Sequence, residues 1–278
     1  MRGRLSSWRP GRPDAEARLD EIAEDALATL HRTLRADPSA FGLYEAACAA
    51  GERLTAVMDT LAPGREADPD TFAGDGRETL TEAGADDSGD GTDFAARFVR
   101  AVGGEGGTVA DATVRRAAAV TAGRVARQDA GALARGGSDW SGDLLCLLYQ
   151  WFFADVVTEF LRVAVAEQVK LVVPVLPAAD PEDRVADWIA EQVLHLVPSP
   201  CEEAAHLAEA AERGEGEVTA LEDPADATLA QVARGLVPRA VGAALGLLPE
   251  TDGDAWIGAS TGARAGPGAM PSEGTSAA

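Results

Sequence analysis

The sequence holds no asparagine, and its one lysine is Lys170; every other basic side chain is arginine. That bias is the mark of a GC-rich bacterial genome and carries no chemistry. Aromatic residues are scarce, at 5% of the chain. Alanine, glycine and valine must fill much of the interior, which favours close helix packing over wide apolar pockets. Cysteine is rarer still. Cys48, Cys146 and Cys201 lie far apart and are odd in number, so free thiols in a reducing compartment are expected. Arg2, Arg4, Arg9 and Arg12 precede no apolar segment of the kind a secretion signal needs. The longest uncharged apolar run, Leu144–Ala154, is well short of the roughly 18–20 residues that span a bilayer. These absences lead to the expectation of a soluble, cytoplasmic protein with no transmembrane segment.

What the chain has in excess is negative charge, a net −22 over 278 residues. Such a chain repels phosphate backbones and anionic membrane surfaces, so no nucleic-acid partner is expected. Two stretches run against the trend: residues 1–13 and 93–137 carry a positive excess. Apolar content is ordinary for a globular protein and is enough for a sizeable core.

The apolar residues recur at helical spacing. The chain reads as all-α, an irregular multi-helix bundle with disordered acidic linkers and tails. Residues 1–13 read as a disordered basic tip and residues 14–63 as a helical hairpin. The first helix, 14–36, sets Leu19, Ala23, Ala26, Leu27, Leu30 and Leu34 on one stripe. Asp37-Pro38 suits a helix start, with aspartate as N-cap and proline in the first turn. A second helix is therefore expected over 38–61, with Phe41, Tyr44, Cys48, Thr55 and Met58 on one side. Gly51 in that stripe permits close approach of a neighbour, and the two stripes are expected to face each other. Residues 64–92 are rich in Asp, Glu and Gly and read as an acidic flexible linker. Residues 93–249 form the main helical bundle, and 250–278 a disordered tail.

Inside the main bundle, helices are expected over 93–102, over 108–130 with Thr108 as N-cap, and over 139–173. Another starts at Asp180-Pro181 and stops at Pro198, with Val185, Trp188, Ile189, Gln192, Val193 and Leu196 on one face. Ser199-Pro200-Cys201-Glu202 reads as a capping box for a helix reaching Arg213. Residues 214–224 read as a second acidic linker, and 226–248 as an amphipathic or apolar stretch interrupted by Pro238.

The stretch 139–173 says most. Down a helix axis, Asp155, Thr158, Glu159 and Arg162 share one narrow polar stripe, and most of the remaining circumference is apolar. A helix apolar over more than half its girth belongs in the middle of a bundle. Asp155 and Glu159 are like charges one turn apart, and Arg162 offsets them. Buried there, the groups must be paired. They form either an ion-pair network that fixes helix register or the floor of a polar pocket. The end of this helix is open: Val169–Val173 is rich in β-branched residues, and Pro174 disfavours helix at Val173, so 169–176 could equally be strand or extended chain.

Other constellations have bland readings that fit better. Asp86-Asp87-Ser88-Gly89-Asp90 resembles the Asp-rich magnesium site of terpene and prenyl synthases, which are all-helical. Here the pattern sits in a Gly-rich linker, and the companion motif fails because Arg162 stands where glutamate is required. The same segment aligns with a calcium loop through Asp86, Ser88, Asp90 and Gly91, but position twelve is Arg97 instead of a bidentate glutamate. Glu191/His195 and Glu202/His206 are carboxylate–imidazole pairs one turn apart, the weak candidates for a metal. Helical geometry puts His206 in water and His195 at the edge of an apolar stripe, so surface ion pairs are the expectation. Cys201 lies in a first helical turn, where the macrodipole lowers a thiol pKa, but Glu202 and Glu203 oppose that. A buried, inert thiol is expected there, and core positions for Cys48 and Cys146. The Gly103–Gly107 loop precedes a helix N-terminus, yet the lysine of a phosphate-binding loop is absent, so it reads as a flexible hinge. Arg116, Arg124 and Arg127 form a basic stripe expected to face the chain's own acidic segments.

No cofactor is expected. Good amphipathic helices without a coherent catalytic set lead to the expectation of a non-enzymatic scaffold or adaptor that binds another protein. The alternatives are an all-helical metal-dependent enzyme using clustered carboxylates, and a peripheral membrane-associating protein acting through 226–248 and 144–161. For the latter, Gly242-x-x-x-Gly246 fits close helix pairing.

Overall fold

The computed structural model describes residues 13–62, 89–128, 140–172, 181–213 and 228–248. The basic tip, nearly all of the first acidic linker, the second linker and the C-terminal tail lie outside the described residues. The described residues form an all-α, irregular multi-helix bundle of eight α-helices, with no strand among them. The helices are α1 (Ala15–Ala36), α2 (Leu43–Leu61), α3 (Gly89–Gly103), α4 (Val109–Gln128), α5 (Gly142–Val172), α6 (Pro181–Leu194), α7 (Pro200–Arg213) and α8 (Leu229–Ala244). They belong to one compact unit that ends at Leu248.

α5 is the hub. It packs against α1, α2, α4, α6, α7 and α8. Leu148, Tyr149, Phe152, Phe153, Val156 and Val157 are all buried. Each such side chain contributes roughly 1.5–3 kcal/mol before entropy is charged against it. Tyr149 stands edge-on to Phe153 with ring centroids 4.9 Å apart. The stretch Gly142–Val163 is long and apolar enough to cross a membrane, but most of it is covered by the other helices. The backbone stays helical to Val172, so 169–172 are helix, and 173–176 lie outside the described residues.

α1 buries the six stripe residues read from the sequence. Its main partner, however, is α6 and not α2. Arg184 of α6 reaches Glu16 at 3.6 Å and Asp20 at 3.7 Å across that contact. The expected hairpin of 14–63 is thus open: α2 turns away to pack against α3, α4, α5 and α8. The reason is local. Asp37 does not start a helix; its Oδ1 accepts from the Ser39 amide at 3.1 Å and from the Ser39 hydroxyl at 2.7 Å. A single 3-10 turn, Ala40–Gly42, follows, with Phe41 and Gly42 both at positive φ, and α2 begins only at Leu43. That turn redirects the chain. The buried face of α2 holds Leu43, Ala47, Ala50, Leu54, Thr55 and Met58; Thr55 and Met58 lie where the stripe put them, while Tyr44 and Cys48 are only half-buried.

Gly51 does what its position implied. A Cβ there would meet Val237 of α8 at 2.7 Å and Phe153 of α5 at 2.9 Å. Helix starts follow the sequence elsewhere. Thr108 Oγ1 accepts from the Asp111 amide at 3.1 Å, and Asp111 accepts in return from the Thr108 amide at 2.9 Å. Thr228 and Gln231 form the same reciprocal cap on α8, one that the sequence reading did not name. α3 begins at Gly89, four residues before the expected start. The Gly103–Gly107 loop is no loose hinge: Arg53 Nε donates to the Val102 carbonyl at 2.8 Å, and Arg115 Nη1 to that of Gly106 at 2.6 Å. At the other end of α8, Gly246 lies at φ 64° and closes the helix, and a Cβ there would run into the His31 ring of α1. His31 Nε2 donates to the Ala244 carbonyl at 3.2 Å, and Arg35 Nε to Gly246 at 2.6 Å, both from α1.

The cysteines do not behave as expected. Cys146 and Cys201, 55 residues apart in sequence, form a disulfide between α5 and α7. Cys201 is half-buried, not an inert buried thiol; Cys48 is the free cysteine.

Candidate functional site

The polar stripe of α5 lies at the floor of a cleft of about 330 Å³ between α4, α5 and α6. Its charged lining is Arg124 and Arg127 from α4, Asp155, Glu159 and Arg162 from α5, and Asp187 from α6. The three arginines face three carboxylates, so the cleft is close to neutral in a molecule that is strongly acidic.

Asp155 is 1% exposed. Thr121 donates to its Oδ2 at 2.8 Å, and Arg124 Nη2 sits 2.9 Å from Oδ1. Thr121 and Arg124 are one turn apart on α4, so a single helix face supplies both partners. Burial pushes the Asp155 carboxyl up to about 6, above its usual value; Arg124 and the Thr121 hydroxyl pull it back, and Glu159 adds to the rise. Glu159 is buried too, and Arg162 Nη1 lies 3.3 Å from it. Thr158 spends its hydroxyl on the Ala154 carbonyl at 2.8 Å. The cleft floor is therefore a set of groups committed to one another, with one carboxyl poised near neutrality.

The sequence placed Asp155, Glu159 and Arg162 together, and the structure puts them in one cleft. It also placed Arg124 on a stripe facing acidic groups; the acid it meets is Asp155. Thr121 and Asp187 were missed. Thr121 interrupts an Ala/Val face on α4, and that interruption was the available signal. Nothing in the sequence brings Asp187 of α6 to the same cleft.

The histidine pairs do not converge. Glu191, His195, Glu202 and His206 are all exposed. Among the described residues no three His, Cys, Asp or Glu groups come together as a metal ion would need. Of the segment carrying the Asp-rich and calcium-loop patterns, Asp86–Ser88 lie outside the described residues, while Gly89, Asp90, Gly91 and Arg97 fall within α3, a helix and not a calcium loop.

A second feature was also missed. Phe41, read from its spacing as part of an apolar stripe, is 55% exposed. Its φ of 68° is in the left-handed region. A bulky residue there is a genuine outlier, costing on the order of 1–3 kcal/mol. Its ring leans on Phe160 of α5, with centroids 5.1 Å apart. A strained backbone thus carries a half-exposed apolar ring packed on one side against Phe160.

No protein-family model, curated protein or solved structure matches the chain.

Proposed function

We propose that the chain is a non-enzymatic helical scaffold or adaptor of the bacterial cytoplasm that binds another protein. The observation that carries this reading is Phe41: an exposed aromatic ring in a costly backbone conformation fits a hot-spot anchor, and strain of this kind concentrates at functional positions. The net charge of −22 sets the chemistry of the partner, an apolar socket rimmed by basic residues. The committed partners of Asp155 and Glu159 support a structural task for the cleft floor.

The test uses Phe41→Gly, which removes the ring and suits the left-handed backbone. A partner isolated on the immobilised full chain and then purified should bind this variant at least about tenfold more weakly. Unchanged affinity, or substrate turnover that Asp155→Asn abolishes, would overturn the reading.

A helical enzyme working through Asp155 is the second reading. A carboxyl raised to about 6 in a cleft is the setting in which acid–base groups are found. A melting temperature unmoved by magnesium, calcium and zinc would argue against its metal-dependent form.

A further inference from the structure

We infer that α7 is a redox-released flap: a dithiol reductant that opens the Cys146–Cys201 disulfide frees α7 from a bundle that otherwise stays folded. The helix is weakly seated. Among its described side chains only Pro200 is buried; Ala204 and Leu207 are half-buried against the core, and Glu202, His206 and Glu209 face water. Among its described contacts, Glu203 meets Arg239 of α8 at 3.6 Å with both side chains partly exposed, a kind of pair that adds little. The covalent tie reaches deeper. It joins α7 to α5, the helix that packs against most others. Its two sulfurs differ in access, since Cys146 is 4% exposed while Cys201 is half-buried at the flap's edge.

That asymmetry sets the chemistry. A thiolate of the dithiol attacks the Cys201 sulfur, and Cys146 leaves as a thiolate that takes a proton from solvent. The second thiol of the reductant then displaces Cys201, leaving two protein thiols and an oxidised, cyclic reductant. The protein gains two electrons and two protons, and the dithiol loses them. In a reducing compartment a bond of this kind is transient and suited to sensing. Released, α7 uncovers the strips of α5 and α8 that it covers.

The test is hydrogen exchange on the full chain after treatment with oxidised glutathione, with and without dithiothreitol. Alkylation and mass measurement count the free thiols in each state. On reduction, amides of Glu203–Ala210 should exchange at least about tenfold faster, while those of Leu148–Thr158 change less than twofold. Cys201→Ser, whose position tolerates a hydroxyl, should show the fast α7 pattern with or without reductant. Three free thiols in the oxidised sample would overturn the proposal. So would equal α7 exchange in both states, or faster exchange along the whole chain, which is unfolding and not release.

Discussion

α5 and α7 are both helices joined to the rest of the molecule, but by opposite means. α5 has buried residues on nearly every side, and six helices cover it. α7 buries one described residue, rests Ala204 and Leu207 half-covered on the core, and adds a disulfide and a partly exposed ion pair. Apolar burial contributes about 25 cal/mol per Å², so α5 is held by packing and α7 by ties. The difference teaches that a good amphipathic pattern gives a helix but not its depth. Both segments were legible as helices; only the breadth of the apolar surface on α5 marked it as central.

Three substitutions can break or sharpen that contrast. The largest effect belongs to Phe153→Ala, which empties space between α5 and α2 and should cost about 3–5 kcal/mol in a denaturant titration. A loss under about 1 kcal/mol would mean that α5 is not the core.

Next comes Asp155→Asn, read against pH. The folded carboxyl titrates near 6 and the unfolded one near 3.8. The folded state therefore binds the proton more tightly. This contribution to stability is complete below the unfolded value and is lost as pH rises through about 6. Wild type should lose about 2–3 kcal/mol relative to Asp155→Asn between pH 4 and pH 7, in paired melts. A difference that stays flat across that range would show an ordinary carboxylate. The smallest effect is expected for Leu207→Ala in the oxidised chain, below about 1 kcal/mol, since its side chain is only half-covered. A cost like that of Phe153→Ala would seat α7 in the core.

What the sequence could and could not say follows from range. Thr108 and the stripe of α1 act within a few residues, so local pattern sufficed for the elements and one cap; the Thr228 cap, equally local, went unread. Asp37-Pro38 misled because aspartate caps turns as readily as helices, and the turn it made sent α2 away from α1. The same turn took Phe41 out of its apparent stripe. The Cys146–Cys201 bond and the arrival of Asp187 depend on helices meeting across long separations, which no periodicity records. Asp155, Glu159 and Arg162 were visible because they share one face of one helix. Their neighbours Thr121 and Arg124 needed the packing of α4 to become a site.

Native-state hydrogen exchange along α5 tests the central placement most directly. The amides of Leu148–Thr158 should be the slowest in the chain and open only with global unfolding. Exchange there as fast as in α7 of the oxidised protein would contradict a bundle built around α5.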